Sequence, residues 1–266
     1  MTRTVPIKQV ATEELNLPTH AVDTFTGWTP PVPINIVIAV SFGLLVPPRI
    51  LSHAQYGGLN VHPSLLPDLR GPAPIEHALL KKRTHTGVSI QTLHPRHFDQ
   101  GTILAQTLTP GFAIPQGITA QELEKQLAQI GAEMLVDVLK SRRFVSPLED
   151  AGWYDGPTDH APKITKQDRF VDFSKRRVKD ILAIQHALGD PWCLLPNGDR
   201  LILHDVVDTD MVDTLKRQPG LWVEPTFKKP VIIDCTGGMG MIMESTYEGN
   251  KHGHGNAKLT RVLGVL

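Results

Sequence analysis

Leu59-Asn60-Val61-His62-Pro63-Ser64-Leu65-Leu66-Pro67 is the stretch on which the fold turns, and Asp68-Leu69-Arg70-Gly71-Pro72-Ala73-Pro74-Ile75 follows it directly. Gly58 to Val61 reads as a short strand, and the prolines that follow turn it into a loop. Asn60 and His62 lie two positions apart, so their side chains share one face of the strand end. In open parallel sheets ligands bind outside the carboxyl ends of the strands, where polar residues are well placed to act. An amide donor beside an imidazole can hold a carbonyl oxygen on which negative charge develops. An isolated Asn-x-His is ordinarily a pair of satisfied polar groups fastening a strand end to its loop, so the surroundings must decide.

Working outward, short apolar runs alternate with short helical patterns, as expected for an α/β fold with a parallel sheet and crossover helices. Upstream, a helix is expected over Ile7 to Leu15, a strand over Thr19 to Val22, a buried strand over Ile34 to Val40 and a helix over Pro48 to His53. Downstream come a helix over Ala73 to Lys81 and strands over Thr86 to Thr92 and Thr102 to Leu108. Leu123, Leu127, Ile130, Met134, Leu135 and Val138 line one side of a long helix from Thr119 to Lys140. Thr119 and Glu122 have the spacing of a capping box at its start.

After Arg143 the texture changes to Pro147, Gly152, Gly156, Pro157 and Pro162 without periodicity, which reads as a linker. We therefore divide the chain into a first domain over residues 1–145, a linker over 146–164 and a second domain over 165–266. The second opens with a helical pattern from Ser174 to Leu188. Short strands follow at Leu194-Leu195, Leu201 to Val207, Gly220 to Val223, Val231 to Cys235 and Met241 to Tyr247, with Asn197-Gly198 as a hairpin turn. Such a series suggests a small β-barrel.

Composition narrows the function classes. The 266 residues carry 27 Lys plus Arg against 27 Asp plus Glu, so no overall basic charge points to nucleic acid. Local clusters remain at Lys81-Lys82-Arg83, at Lys140 with Arg142 and Arg143, and at Lys175-Arg176-Arg177 with Lys179. No apolar run is long enough to span a bilayer, and no membrane association is expected. Cys193 and Cys235 share no metal-ligand spacing. His94 with His97, and His252 with His254, lack acidic or Cys partners at a recognisable spacing, so no metal is expected. Ser64 lacks a G-x-S-x-G elbow and reads as a loop hydrogen-bonder, not a nucleophile.

The string NVHPSLLP with RGPAPI behind it resembles the family that takes a formyl group from 10-formyltetrahydrofolate, and the methionyl-tRNA formyltransferases within it most. IVIAVSFGLLVP, residues 36–47, is similar to the family strand whose loop lines the folate pocket, with Phe42 where Tyr is usual. TGVSIQTL and then Phe98-Asp99-Gln100-Gly101-Thr102-Ile103-Leu104 are similar to the segment carrying the family's catalytic aspartate, which makes Asp99 the matching residue.

The resemblance implies a Rossmann-like formyltransferase domain followed by an OB-like β-barrel that grips tRNA. It implies Asn60, His62 and Asp99 as the catalytic set. Phe42, Gly43 and Leu44, together with Ser64, Leu65, Leu66 and Pro67, are implied to hold the 10-formyltetrahydrofolate co-substrate. The acceptor would be initiator methionyl-tRNA and the chain a monomer. Asp99 is expected to raise the His62 pKa and to help manage the proton lost by the attacking amine. His94-Pro95-Arg96-His97, in place of a more regular Asp-Gly pattern, resembles organellar members, so a mitochondrial matrix location is expected although no targeting signal is visible. Family domains begin with a strand and further βαβ-type units ahead of the part that Val5 to Leu17 resembles, so the first strands of the sheet are expected to be missing. Two alternatives stay open: a sugar-nucleotide or other small-amine formyltransferase, and a catalytically impaired tRNA-binding fragment.

Overall fold

A computed structural model describes residues 6–224 and 229–263. Val5, the start of the segment compared above, lies outside them. The chain opens with α1 (Pro6–Gln9), which continues into one wider turn over Val10–Glu14. Thr19 to Val22 forms no strand. These residues are mostly exposed and no neighbouring segment offers them a ladder. The first sheet is built from β1 (Val37–Val40), β2 (Gly58–His62), β4 (Ser89–Thr92) and β5 (Ile103–Gln106), in the order β1-β2-β4-β5. Between them lie α2 (Pro48–His53), α3 (Pro74–Leu80) and β3 (His85–Thr86), which pairs with β6 (Phe112–Ala113).

The expected parallel sheet is a mixed one. Only β1 and β2 are parallel, whereas β4 runs antiparallel to both β2 and β5. The reason lies in α3. A crossover helix must lie along the sheet to bring the next strand back in the same direction, but α3 packs chiefly on a helix of the molecule's other half instead. The helix that does cover this sheet is α4 (Ala120–Lys140), which rests on β2, β4 and β5. Its capping box is as expected: Glu122 N–H donates to Thr119 Oγ1 at 3.3 Å, and Thr119 N–H donates to Glu122 Oε2 at 2.9 Å. On the sheet's other side, Ile50 and Leu51 of α2 and Val46 of the loop before it are buried against Phe25, Trp28, Ile34, Val37 and Leu93.

The second half contains α5 (Val178–Leu188), β7 (Trp192–Leu194), β8 (Arg200–Val212), β9 (Gly220–Glu224), β10 (Lys229–Ile233), β11 (Gly238–Tyr247) and α6 (Asn256–Leu263). Its strands are all antiparallel in the order β7-β8-β11-β10-β9. Among the described residues no pairing closes β7 onto β9, so this is a half-barrel and not the closed barrel the strand pattern suggests. Register shifts along β8 and β11 bend the sheet, and the two helices complete the enclosure. Helix α5 packs on β8 and β11, and α6, which sequence patterning missed, packs on β9, β10 and β11.

One apolar core runs through both halves. Leu59, Val88, Ile90, Leu104, Leu123 and Leu127 of the first belong to the same cluster as Ile181, Ile184, Leu201, Leu203, Ile242 and Leu259 of the second. The contact of α3 with α5 joins them, and the Lys82–Asp180 ion pair lies at the same junction. Residues 146–164 are not a free linker. Ala151 N–H donates to Ile103 O, and Trp153 Nε1–H donates to Thr107 O. Further on, Leu69 N–H donates to Asp159 O and Ala161 N–H donates to Arg70 O, each at 2.8 Å. The segment is a strap laid over the first half.

Candidate active site

Strand β2 ends with Asn60 and His62 facing a cavity of about 710 Å³, a volume in the range of small-molecule sites. The loop after β1 contributes Phe42, Gly43 and Leu44 to its wall, the segment after β4 contributes His94 and Arg96 to Asp99, and the strap contributes His160. Asp99 reaches the same point from the turn that precedes β5. Its backbone is left-handed, with φ at 54°, and Gly101 two residues on is forced by contact, because a Cβ there would run into Thr92 O.

Asp99 is the hub. Its Oδ1 accepts from Gln91 Nε2 at 3.2 Å and from Asn60 Nδ2 at 3.4 Å, and its Oδ2 accepts from Gly71 N–H at 2.9 Å. Arg70 Nε donates to the Asp99 carbonyl at 2.8 Å. Gln91 spends its own carbonyl oxygen on Gly101 N–H, so one side chain fixes both the turn and the carboxylate it presents. Three donors on a side chain only 8% exposed give the carboxylate a defined orientation before any ligand arrives.

The His62 ring nitrogens have different partners. Nε2 lies 3.1 Å from Leu69 O, a carbonyl that can only accept, so Nε2 carries the hydrogen. Nδ1 lies 3.4 Å from Asp99 Oδ1 and holds the lone pair in the neutral ring. Burial is the largest influence on this group and pulls its pKa below 6.5. Asp99 and the Leu69 hydrogen bond push upward and Arg70 pushes down. The sequence view expects Asp99 to raise the pKa; it does act in that direction, but desolvation outweighs it. The imidazole is therefore neutral at neutral pH and available to take a proton at Nδ1, where Asp99 would stabilise the cation formed.

Of the residues expected to contact the co-substrate, Phe42, Gly43 and Leu44 line the cavity, whereas Ser64, Leu65, Leu66 and Pro67 do not. Ser64, Leu65 and Leu66 are buried beneath the loop. Ser64 Oγ donates to Asp68 O at 2.7 Å, Leu66 N–H donates to Ser89 Oγ, and Leu66 O accepts from Gln106 Nε2. They shape the turn that carries His62 away from β2.

Sequence reasoning missed Gln91, Arg70, Gly71 and His160. Arg70 and Gly71 stood inside the quoted string, and Gln91 inside TGVSIQTL, but nothing in the spacing showed that all three converge on Asp99.

Behind the site, Arg83 clasps two acids. It pairs with both oxygens of buried Asp68 at 3.0 and 3.1 Å and with Asp159 at 2.7 Å. Asp68 Oδ1 also accepts Asp159 N–H. This latch holds the strap against Leu69 to Ala73, the backbone that supplies Gly71 N–H to Asp99. Gly71 has φ at 127°, and a Cβ there would meet the carbonyl of Ala161. Only glycine lets the two backbones lie so close.

An amide, a neutral imidazole and an oriented carboxylate around one cavity are the equipment of acid–base group transfer at a carbonyl. The chain belongs to the formyl transferase family, whose pattern matches residues 6–139. It is 35% identical over 184 residues to a mitochondrial methionyl-tRNA formyltransferase from Homo sapiens, covering 66% of this chain and 45% of that protein. A methionyl-tRNA formyltransferase from Ehrlichia canis is 36% identical over 168 residues, covering 63% of this chain and 52% of that protein. This chain thus spans about half the length of the curated relatives it matches. Among solved structures, HypX from Aquifex aeolicus with tetrahydrofolic acid matches 82% of this chain and 36% of its own at a TM-score of 0.56 and 15% identity. An N-formyltransferase from Helicobacter canadensis, with folinic acid and dTDP-3-aminofucose, matches 76% of this chain and 70% of its own at 0.53 and 14%. These likenesses concern the fold.

Proposed function

We propose that this chain carries the catalytic site of a methionyl-tRNA formyltransferase, moving a formyl group from 10-formyltetrahydrofolate to the amino group of initiator methionyl-tRNA. The observation that carries the reading is the convergence of Asn60, His62 and Asp99 on one cavity, at the positions where the family motif puts its catalytic set. The co-substrate supplies an N-formyl carbonyl, and the cavity has the volume and the polar end to receive it.

His62 takes the proton that the amine must lose, at Nδ1, because Nε2 is committed to Leu69 O. Asp99 stabilises the imidazolium so formed. Asn60 has a second amide hydrogen beyond the one directed at Asp99, and this hydrogen can meet the formyl oxygen as its charge grows. Phe42, Gly43 and Leu44 form the wall against which the folate ring system would lie. The half-barrel of residues 165–266 is the part suited to grip the tRNA acceptor arm. The sequence identity with named methionyl-tRNA formyltransferases favours this acceptor over an amino sugar. Relatives from Homo sapiens and Bos taurus are named as mitochondrial, and on this reading the reaction belongs to the mitochondrial matrix.

The test is formylation of charged initiator tRNA by this chain and by a form extended to the length of its relatives, with a dTDP-amino sugar as the competing acceptor. Replacing His62 or Asp99 by Ala should lower turnover by roughly 10²- to 10⁴-fold in whichever form is active. Near-normal turnover in either variant refutes the site, and preference for the sugar refutes the acceptor.

A further inference from the structure

A second cluster of titratable side chains lies in the half-barrel, in no contact with the catalytic set. His204 projects from β8, Asp190 from the turn between α5 and β7, Glu244 from β11, and His252 from the turn between β11 and α6. His204 Nδ1 lies 2.8 Å from Asp190 Oδ2. The rings of His204 and His252 stack with centroids 4.0 Å apart and planes 25° from parallel. His252 Nδ1 lies 3.7 Å from Glu244 Oε1. Asp190, His204 and His252 each offer a ligand atom, and the three atoms lie within 4.8 Å of one another.

Three features separate this cluster from an ordinary surface ion pair. His204 is anchored, with its side chain 9% exposed and its Nε2 2.7 Å from Thr246 Oγ1. Thr246 Oγ1 already accepts Gly253 N–H and can accept Nε2–H as well. A 2.8 Å contact with a carboxylate is Nδ1–H donating to Asp190; shifting that hydrogen to Nε2, where Thr246 can receive it, frees the Nδ1 lone pair for an ion beside Asp190. The second feature is composition: two imidazoles sit between two carboxylates, an arrangement that gathers possible ligand atoms around one point. The third is spacing. Ligands about 2.0–2.2 Å from a tetrahedral ion lie about 3.3 Å from each other; His204 Nδ1 and Asp190 Oδ2 are 2.8 Å apart and all three ligand atoms lie within 4.8 Å, so small side-chain rotations reach that spacing. His252, 76% exposed on its turn, can rotate out of the stack so that its nitrogen converges with that of His204.

We infer that Asp190, His204 and His252 form a binding site for a divalent transition metal of the zinc class, with Glu244 or water completing its shell. Two imidazoles and a carboxylate suit a borderline-soft ion and give a hard ion such as magnesium too few oxygens. The ligands come from three separate segments, so the ion would fasten the β11–α6 turn and the α5–β7 turn to β8. Its role on this geometry is to stiffen the half-barrel.

The experiment is calorimetric titration of the chelator-treated full chain with zinc chloride at pH 7.5, alongside thermal unfolding with and without zinc. One equivalent should bind and raise the melting temperature. His252→Ala lies on an exposed turn where folding is not at stake; it should weaken binding at least about tenfold and abolish the thermal shift. Asp190→Asn should also weaken binding. A double His94→Ala, His97→Ala variant, which removes the stacked pair at the catalytic cavity, should bind as the parent does. Equal binding by the parent and His252→Ala overturns the assignment, as does an absence of stoichiometric zinc or its loss in the His94/His97 variant.

Discussion

Strand β2 runs for five residues and delivers Asn60 and His62 to a cavity, whereas β8 runs for thirteen and delivers Leu201, Leu203 and Val206 to the core. The same contrast extends to their neighbours. Around β2 and β4 the buried side chains include Ser64, Ser89, Gln91 and Gln106, each tied into a hydrogen-bond network that ends at the site or at the loop beneath it. In the half-barrel the buried polar groups close turns. Asp234 accepts from the N–H groups of Val178, Thr236 and Gly238, and Asp213 pairs with Arg217. The first sheet thus spends its polar residues on orienting Asn60, His62 and Asp99 at the cavity, and the second spends them on shape. Short strands that end early leave room for the cavity at Asn60 and His62, whereas the long antiparallel strands turn their apolar residues into the core.

The largest expected effect tests whether the two halves are one cooperative body. Leu123 and Leu203 are both fully buried in the shared core, one on each side of the junction. Leu123→Ala and Leu203→Ala should each lower the free energy of unfolding by about 2–5 kcal/mol within a single denaturant transition. Two separate transitions, each shifted by only one variant, would break the comparison's premise of a common core.

A smaller effect sharpens the division of labour. Arg83→Met strands the buried Asp68 carboxylate, at a cost of about 1–3 kcal/mol, and loosens the strap that supports Gly71 and Asp99. On the proposed function it should depress formyl transfer as well as stability. Arg217→Met removes a comparable clasp on Asp213 and Glu224 in the half-barrel. It should cost stability and leave the turnover number of the folded enzyme unchanged, and an equal loss of turnover in both variants would erase the distinction.

The smallest effect is one of pH. In the folded chain the His62 pKa is held below 6.5, so on acidification through the ordinary histidine range the unfolded chain binds more protons than the folded one. The stability linked to His62 is fully present above about pH 6.5 and declines as the pH falls below it. The gap in stability between the parent and His62→Asn should therefore change between pH 7 and pH 5, by chemical denaturation at each pH. A constant gap would mean that burial does not depress this group.

Much of this could be read from residues. The alternation of Asn60 and His62 placed both on the cavity, and Thr119 with Glu122 marked the start of α4 to the residue. Both are local signals: a period of two, and a cap three residues from its partner. Strand direction was not legible, because the alternation of strand and helix patterns does not say which surface a helix covers. Here α3 is drawn to α5 instead of lying on the sheet. The α6 helix escaped because its pattern is brief, with Leu259 its one buried residue among those described. Gln91 and Arg70 were invisible as site residues for a different reason. Their meeting with Asp99 depends on a turn and a strap far away in the chain, and no local spacing encodes it.

The strap has a consequence for anyone recombining this chain with its relatives. Residues 159–161 share backbone hydrogen bonds with residues 69–73, and Gly71 tolerates nothing between them. A chimera that exchanges the half-barrel at the first proline or glycine after Arg143 would separate two segments that are complementary to the atom. The natural suture lies beyond Pro162, where the strap has finished its contacts with the loop after β2, so that the half-barrel can be exchanged without unseating Asp99.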